Sequence, residues 1–201
     1  MILENYYWYF KSAIPHKLCD EIIEYGNSLR EEIATVGQLK SENDLKKIRQ
    51  SNVAWISERW VYKEVQPYVH QANANSGWNF EWDFSEACQF TKYKLNQFYD
   101  WHADSFSEPY ANNHPNVNLR GKIRKLSVTC SLSDSSEYEG GVLEFDCRAD
   151  NPKEKRIIEC KEIMSKGSIV VFPSFVWHRV KPVTKGTRYS LVMWNCGYPF
   201  K

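Results

Sequence analysis

From residue 78 onward, apolar and polar residues alternate with a period of two in short runs. Successive side chains of a β-strand point to opposite faces of a sheet, so this period predicts strands that each bury one face. Gly-Gly, Ser-Asp and Lys-Gly pairs separate the runs and favour tight turns. Short strands joined by such turns are typical of a sandwich or a barrel. The runs interpreted as strands are 80–84, 88–95, 97–102, 124–132, 141–146, 156–160, 168–172, 177–180 and 187–194.

The first third of the chain has helical periodicity instead. Leu18, Ile22 and Tyr25 are spaced as i, i+4 and i+7, which places them on one face of a helix. A second helical pattern begins at Ser57, whose hydroxyl can cap it, and is expected to end near residues 73–75. These two helices predict a support that packs against the β-rich remainder.

We expect a single domain over residues 1–201, because this length is common for one domain. About residues 1–77 would form the helical support and about residues 78–198 the β core. The aromatic run 6–9 is expected to add an edge strand to the sheet. Aromatic residues make up 15% of the chain and favour pleated surfaces, which agrees with a mainly β fold class.

The charge of the chain is balanced, with 26 Lys+Arg against 25 Asp+Glu. Nucleic-acid binders usually carry a basic excess, so we expect no nucleic-acid partner. No apolar run approaches the ~18–20 residues of a membrane span, and the N-terminal residues lack a basic leader and an apolar stretch. We therefore expect no membrane partner and a cytoplasmic location. The six cysteines form no C-x-x-C pair, which predicts free and mostly buried thiols.

The triplet His102-Ala103-Asp104 ends one predicted strand, where residues i and i+2 point to the same side. His178 follows another apolar strand, 168–172. Two imidazoles and one carboxylate on one face of a metal leave other positions open, which is typical of non-haem Fe(II) oxygenases. A structural zinc would favour a closed site with thiolates, and no cysteine is close to either histidine in the sequence.

Arg188 lies in a mostly apolar strand, ten residues beyond His178. A buried arginine needs an anionic partner, and its forked guanidinium suits a carboxylate. That carboxylate could belong to a ligand or to an internal salt bridge, and the residues alone leave both interpretations open.

The segment 105–122 follows Asp104 directly and is rich in Asn, Pro and Ser. Irregular segments of this length are usually functional or disordered. We expect a mobile lid beside the site, with a passive surface loop as the alternative.

A longer series of motifs surrounds these residues. It comprises Tyr93, Tyr99, His102-x-Asp104, Leu126-Ser127, Tyr138-Glu139-Gly140-Gly141, Gly167-Ser168 through Phe172-Pro173, His178-Arg179-Val180, Pro182 through Tyr189, and Trp194. Their order resembles that of 2-oxoglutarate/Fe(II)-dependent dioxygenases, especially the bacterial and viral type of the prolyl 4-hydroxylase-like branch. The resemblance covers about residues 80–198.

The resemblance implies a double-stranded β-helix, or jelly roll, with N-terminal supporting α-helices. The implied Fe(II) ligands, which are also the catalytic residues, are His102, Asp104 and His178. 2-Oxoglutarate would be the co-substrate, with Arg188 binding its distal carboxylate and with Tyr93 and Ser190 beside it. Ascorbate is expected as the reductant.

The implied reaction uses O2 and 2-oxoglutarate to hydroxylate an unactivated C–H, giving succinate and CO2. The expected partner is a protein or peptide, with a prolyl residue as target and proline-rich sequences as candidates. Trp101, Arg124 and Trp194 are candidate substrate contacts. The alternatives are the same chemistry on a non-prolyl target and a non-catalytic jelly-roll binding module.

Overall fold

The computed structural model describes residues 3–34, 48–147 and 156–200. Within these residues the two α-helices are α1 (His16–Ser28) and α2 (Arg59–Asn75). The strands are β1 (Trp8–Phe10), β2 (Glu32–Ile33), β3 (Arg49–Gln50), β4 (Asn52–Ile56), β5 (Phe84–Ser85), β6 (Cys88–Tyr93), β7 (Phe98–His102), β8 (Ile123–Ser131), β9 (Tyr138–Gly140), β10 (Leu143–Asp146), β11 (Ile157–Glu159), β12 (Ile169–Pro173), β13 (His178–Val180), β14 (Val183–Gly186) and β15 (Arg188–Gly197).

Two large antiparallel sheets make up most of the fold. The larger sheet has the order β1-β12-β8-β15-β6-β4-β2, with β5 added to β15. The smaller sheet has the order β11-β10-β13-β7-β3, and β9 pairs with β14 separately. The rings of Phe145 in the smaller sheet and Phe172 in the larger one meet at 5.0 Å between centroids. This mainly β architecture confirms the predicted fold class.

The side chains of β15 alternate between the two faces of the larger sheet. Leu191 and Met193 point into a core shared with the helices. Arg188, Ser190 and Trp194 point the other way, towards a cavity between the sheets. The period of two predicted from the sequence therefore decides which side chains reach the functional side of the sheet.

The two helices cover the outer face of the larger sheet. Val61, Val65 and Val69 of α2 repeat every four residues and are fully buried, which is the pattern of a single apolar stripe. In α1, a Cβ placed on Gly26 would lie 2.5 Å from the ring of Phe90 on β6. A glycine is therefore required for this helix to approach the sheet as closely as it does.

The first third of the chain contains the two predicted helices. It also supplies the strands β1 to β4. The aromatic run 6–9 does contribute an edge strand, since β1 pairs with β12 at the end of the larger sheet. The other added strands have two to five residues, which is too short for a periodic signal.

Several predicted element boundaries are wrong. The second helix begins at Arg59 and has no side-chain cap, so Ser57 does not cap it. The predicted strand 80–84 is shorter in the structure, where it comprises only Phe84–Ser85.

The turn at Asn96 joins strands of different sheets and has a φ of 63°, a conformation that asparagine tolerates.

All six cysteines are buried and free, which confirms the sequence-based interpretation. Among the described residues, no helix combines the length and the apolar character needed to cross a bilayer.

Candidate metal centre and its two cavities

The smaller sheet brings three potential metal ligands together. β7 and β13 are neighbours, and their register pairs His102 with His178. Asp104 lies two residues beyond β7, where its backbone N–H donates to the carbonyl of Ser174 at 2.9 Å. One donor atom from each of the three side chains lies within 4.8 Å of the other two. The structure therefore gathers the residues that the sequence singled out.

A backbone carbonyl orients each imidazole. Nδ1 of His102 lies 2.7 Å from the carbonyl oxygen of Asp100, and Nδ1 of His178 lies 3.0 Å from that of Val176. A carbonyl only accepts hydrogen bonds, so each ring carries its proton on Nδ1 and its lone pair on Nε2. The two Nε2 atoms lie 3.8 and 3.7 Å from the oxygens of Asp104. Carbonyl partners of this kind are usual behind metal-binding histidines.

Burial and the neighbouring groups together favour the forms of His102 and Asp104 that bind a metal. Burial and the neighbouring His178 lower the pKa of His102 to about 3, so its ring is neutral. Burial by itself would raise the pKa of Asp104, but His178, His102 and Arg124 outweigh it and the net shift is downward. Oδ2 of Asp104 is buried without a hydrogen bond among the described residues. A buried carboxylate whose two oxygens face two imidazole lone pairs needs a cation between them, so the residues fit Fe(II).

A narrow inner cavity lies on one side of these ligands. Arg188 closes it, with 2% of its surface exposed. Its Nη1 donates to the hydroxyl of Ser190 at 3.3 Å, and its guanidinium lies 5.6 Å from the ring of Tyr93. No carboxylate pairs with Arg188 within the described part of the chain, so the internal salt bridge considered from the sequence is not formed there. The three residues predicted to surround 2-oxoglutarate are therefore neighbours.

A wider outer cavity of about 310 Å³ opens on the other side. Its walls include the rings of Trp55, Phe106 and Trp194, and its charged groups include Arg49 and Arg124. His102 and Asp104 line both cavities, so these two potential metal ligands lie at the junction, and His178 lines the inner cavity.

Arg124 is held rigidly at the wall of the outer cavity. Its guanidinium makes two hydrogen bonds to the carboxylate of Glu86, at 2.7 and 2.8 Å, and lies 3.9 Å from the ring centroid of Trp194. Burial opposes the charge of Arg124, but Glu86 reverses the effect and the pKa of the guanidinium is raised. Two of the three candidate substrate contacts therefore touch each other at the cavity.

The third candidate, Trp101, lines neither cavity. Its ring packs 4.7 Å from the guanidinium of Arg179. Neighbouring residues of a strand point to opposite faces, so adjacency to His102 in the sequence places the side chain of Trp101 on the other side of the sheet.

Sequence reasoning missed Arg49, which lines both cavities. It comes from the first third, outside the region of resemblance, and β3 has only two residues. Trp55 and Glu86 were missed as well. A single polar residue in a strand as short as β3 gives no periodic pattern, so only the tertiary structure reveals where Arg49 lies.

The segment 105–122 is irregular, as predicted, except for a short 3-10 helix at Val117–Leu119. It is also anchored at Tyr110. The backbone N–H of Tyr110 donates to the carbonyl of Lys122 at 2.9 Å, and that of Gly121 donates to the carbonyl of Tyr110 at 2.9 Å. The Tyr110 hydroxyl donates to Glu86 at 3.0 Å. Phe106 projects from the segment to the outer cavity. Motion of this segment as a lid stays a prediction.

Two histidines and a carboxylate between antiparallel sheets, with a buried arginine beside them, define an iron-dependent oxygenase of the jelly-roll class. The chain belongs to the 2OG-Fe(II) oxygenase superfamily, whose family model matches residues 88–196. It is thus an enzyme of this class, and its cofactors are Fe(II) and 2-oxoglutarate.

The curated relatives include PKHD-type hydroxylases of bacteria. One from Synechococcus sp. (strain CC9605) is 38% identical over 100 residues, which are 50% of this chain and 37% of the relative. One from Xylella fastidiosa (strain M12) is 36% identical over 108 residues, which are 53% of this chain and 42% of the relative. The chain therefore spans about two fifths of the length of these relatives.

Solved structures resemble nearly the whole chain. The viral collagen prolyl hydroxylase of Paramecium Bursaria Chlorella virus-1, in its 2OG complex, has a TM-score of 0.64 at 18% identity and covers 96% of this chain and 97% of its own. A Trichoplax adhaerens prolyl hydroxylase, in complex with a hypoxia inducible factor peptide fragment, has a TM-score of 0.67 at 19% identity and covers 96% of this chain and 84% of its own. At such identities the likeness shows the fold, and it confirms the jelly roll.

Proposed function

We propose that the protein hydroxylates an unactivated C–H of a prolyl residue in a peptide or protein, using 2-oxoglutarate and O2 and giving succinate and CO2. The observation that carries the proposal is the place of His102 and Asp104 at the junction of two unlike cavities, with His178 beside them in the inner one. One cavity is closed by a buried cation, and the other opens to solvent between aromatic walls. This division suits a small dianionic co-substrate on one side and a larger substrate on the other.

The three donors would bind Fe(II) on one face, which leaves the opposite face for co-substrate and O2. Fe(II) and 2-oxoglutarate, when bound, supply the oxidising chemistry for the hydroxylation. The carbonyls of Asp100 and Val176 hold the two imidazoles in the ligand tautomer, so the site is organised before the metal arrives.

Arg188 would bind the distal carboxylate of 2-oxoglutarate at the closed end of the inner cavity. A guanidinium with 2% exposure and no carboxylate among the described residues has donors to offer. Ser190 orients Arg188 by accepting one of its N–H groups, and the ring of Tyr93 covers it. Leu143 and Val180 add apolar walls that exclude water from the co-substrate.

The outer cavity suits an extended peptide. Trp55 and Phe106 are 46% and 47% exposed, so their rings present apolar surface at the mouth. A polyproline segment is already extended and loses little entropy when it binds between aromatic rings. The prolyl hydroxylase names of the structural neighbours, one of them with a bound peptide fragment, support this choice of substrate class.

The test is an assay of the purified protein with Fe(II), ascorbate, 2-oxoglutarate and air. Proline-containing peptides and matched peptides with alanine in place of proline are compared for succinate release and for the gain of one oxygen atom by mass spectrometry. We expect oxygen on proline in the first set and no reaction in the second. His178→Ala serves as the inactive control. Oxygen on another residue would contradict the prolyl assignment, and no oxygen transfer to any peptide would contradict the peptide substrate.

A further inference from the structure

Arg49 is held beside the metal centre by two contacts. Its Nε donates to the hydroxyl of Ser51 at 2.9 Å, and its guanidinium lies 4.4 Å from the ring centroid of Tyr99. Tyr99 in turn stacks on the ring of His102, with 3.4 Å between centroids. The backbone register of β3 and β7 pairs Arg49 with Tyr99, so the sheet itself fixes this stack. The guanidinium is therefore one aromatic ring away from a metal-binding imidazole.

Residues 3–34, 48–147 and 156–200 offer no hydrogen-bond partner to Nη2 of this guanidinium. Arg49 is 6% exposed, and its Nη2 is buried without a hydrogen bond. No carboxylate within the described part of the chain pairs with it. Glu32 also lines the outer cavity, but it is exposed and makes no ion pair with Arg49. A buried N–H of a charged group that lacks an acceptor is costly, which points to an acceptor other than the described residues.

Arg49 carries a positive charge that the other charges of the site do not neutralise. Arg124 is neutralised by Glu86, and Asp104 together with one carboxylate of 2-oxoglutarate offsets a divalent ion. The second carboxylate of 2-oxoglutarate would offset Arg188. Arg49 is then the cation that no anion of the described residues or of the co-substrate neutralises. It also lines the outer cavity, on the side where the substrate would enter.

We infer that Arg49 is a specificity-determining residue that binds a carboxylate of the substrate. This inference rests on the proposed function and narrows it to substrates that carry a negative charge close to the hydroxylated residue. The carboxylate has two possible sources: the free carboxyl group of a C-terminal residue or amino acid, and an acidic side chain next to the target. Both present the same pair of oxygens to Nη2 of Arg49.

The experiment uses four forms of one short proline peptide: a C-terminal acid, its C-terminal amide, an amide with Glu beside the proline, and the same amide with Gln. Their binding to the Fe(II)-loaded protein with 2-oxoglutarate is measured without O2 by calorimetry. Turnover is then measured in air. We expect the acid to bind at least about tenfold more tightly than the amide, or Glu more tightly than Gln, since charge-assisted hydrogen bonds are the stronger ones. Which pair shows the difference identifies the source.

Three variants assign the preference to Arg49. Arg49→Gln should abolish the preference for the charged peptide, and Arg49→Lys should keep part of this preference because the positive charge remains. Arg59→Gln, at an exposed position of α2, is the matched control and should leave it unchanged. If Arg49→Gln does not fold, Arg49→Lys provides the test. A lysine cannot form the forked pair of hydrogen bonds, so the ratio of the affinities for charged and neutral peptides should still fall.

Equal binding of charged and neutral peptides by the unmodified protein overturns the inference, as does a preference that survives in Arg49→Gln. Failure of the proposed function gives a different result: a charge preference in binding without transfer of oxygen to proline. Absence of binding by all four peptides would overturn both.

Discussion

Replacing Arg188 by alanine should weaken 2-oxoglutarate binding by a large factor while leaving metal binding intact. Arg188 is 2% exposed and donates to Ser190 at 3.3 Å, so its remaining N–H groups point into the inner cavity without a carboxylate from the described residues. Loss of one partner from a buried charge-assisted pair is worth about 2–5 kcal/mol. That free energy corresponds to an increase of Kd from about 30-fold to a few thousand-fold.

Calorimetry of the Fe(II)-loaded protein without O2 measures this Kd directly. Thermal unfolding gives a second measurement, because a ligand at 100 times its Kd stabilises the native state by about 2.7 kcal/mol. The unmodified protein should gain this stabilisation from 2-oxoglutarate and Arg188→Ala should not. Arg156→Ala, which breaks a largely exposed pair with Asp146, is the control and should leave the affinity unchanged. Unaltered 2-oxoglutarate affinity in Arg188→Ala would refute the role of Arg188.

Four further predictions concern the metal, the packing, the thiols and the lid. His102→Ala should lose stoichiometric iron and turnover but keep its β-sheet circular dichroism, and retained iron would contradict the ligand assignment. Gly26→Ala should destabilise the fold by about 1–3 kcal/mol in urea titrations, because the new Cβ meets the ring of Phe90 at 2.5 Å; an unchanged midpoint would contradict the close approach. Burial raises the pKa of the Cys19 thiol from 9.0 to about 11, so its contribution to stability is complete below pH 9 and is lost as the pH rises through about 11; urea titrations with reductant at pH 8 and pH 10.5 should show the decrease. Shortening the segment 105–122 should impair peptide hydroxylation while sparing substrate-free 2-oxoglutarate turnover, whereas a passive loop could be shortened without changing either activity.

The part of the site that could be predicted from the sequence is the part with local spacing. His102 ends β7 and Asp104 lies two residues further on, a spacing that predicts that the two side chains share one side. His178 follows a strand of five buried residues, and the pairing of β13 with β7 then brings it beside His102. Arg188 was recognisable as one charge in an apolar run. All these signals lie in continuous stretches of sequence.

The remaining part depends on contacts between distant segments. Arg49 reaches the cavity because β3 pairs with β7, and the two-residue β3 gives no periodic signal. Glu86 becomes important only through its two hydrogen bonds to Arg124, 38 residues away. Trp101 is adjacent to His102 in the sequence, but consecutive strand residues face opposite ways, so its side chain lies on the face of the sheet away from the cavities.

The first third of the chain protects the borders of both sheets. β4 covers the side of β6 that β15 leaves open, and β3 covers the corresponding side of β7, which ends in His102. β1 likewise covers the outer side of β12. A fragment restricted to the family-matched residues 88–196 would therefore expose three rows of unpaired backbone N–H and C=O groups, on β6, β7 and β12. Such rows pair readily with other chains, so that fragment would be prone to polymerise through its strands. The N-terminal strands thus occupy the edges through which β6, β7 and β12 could pair with other chains, and β7 is the strand that ends in His102.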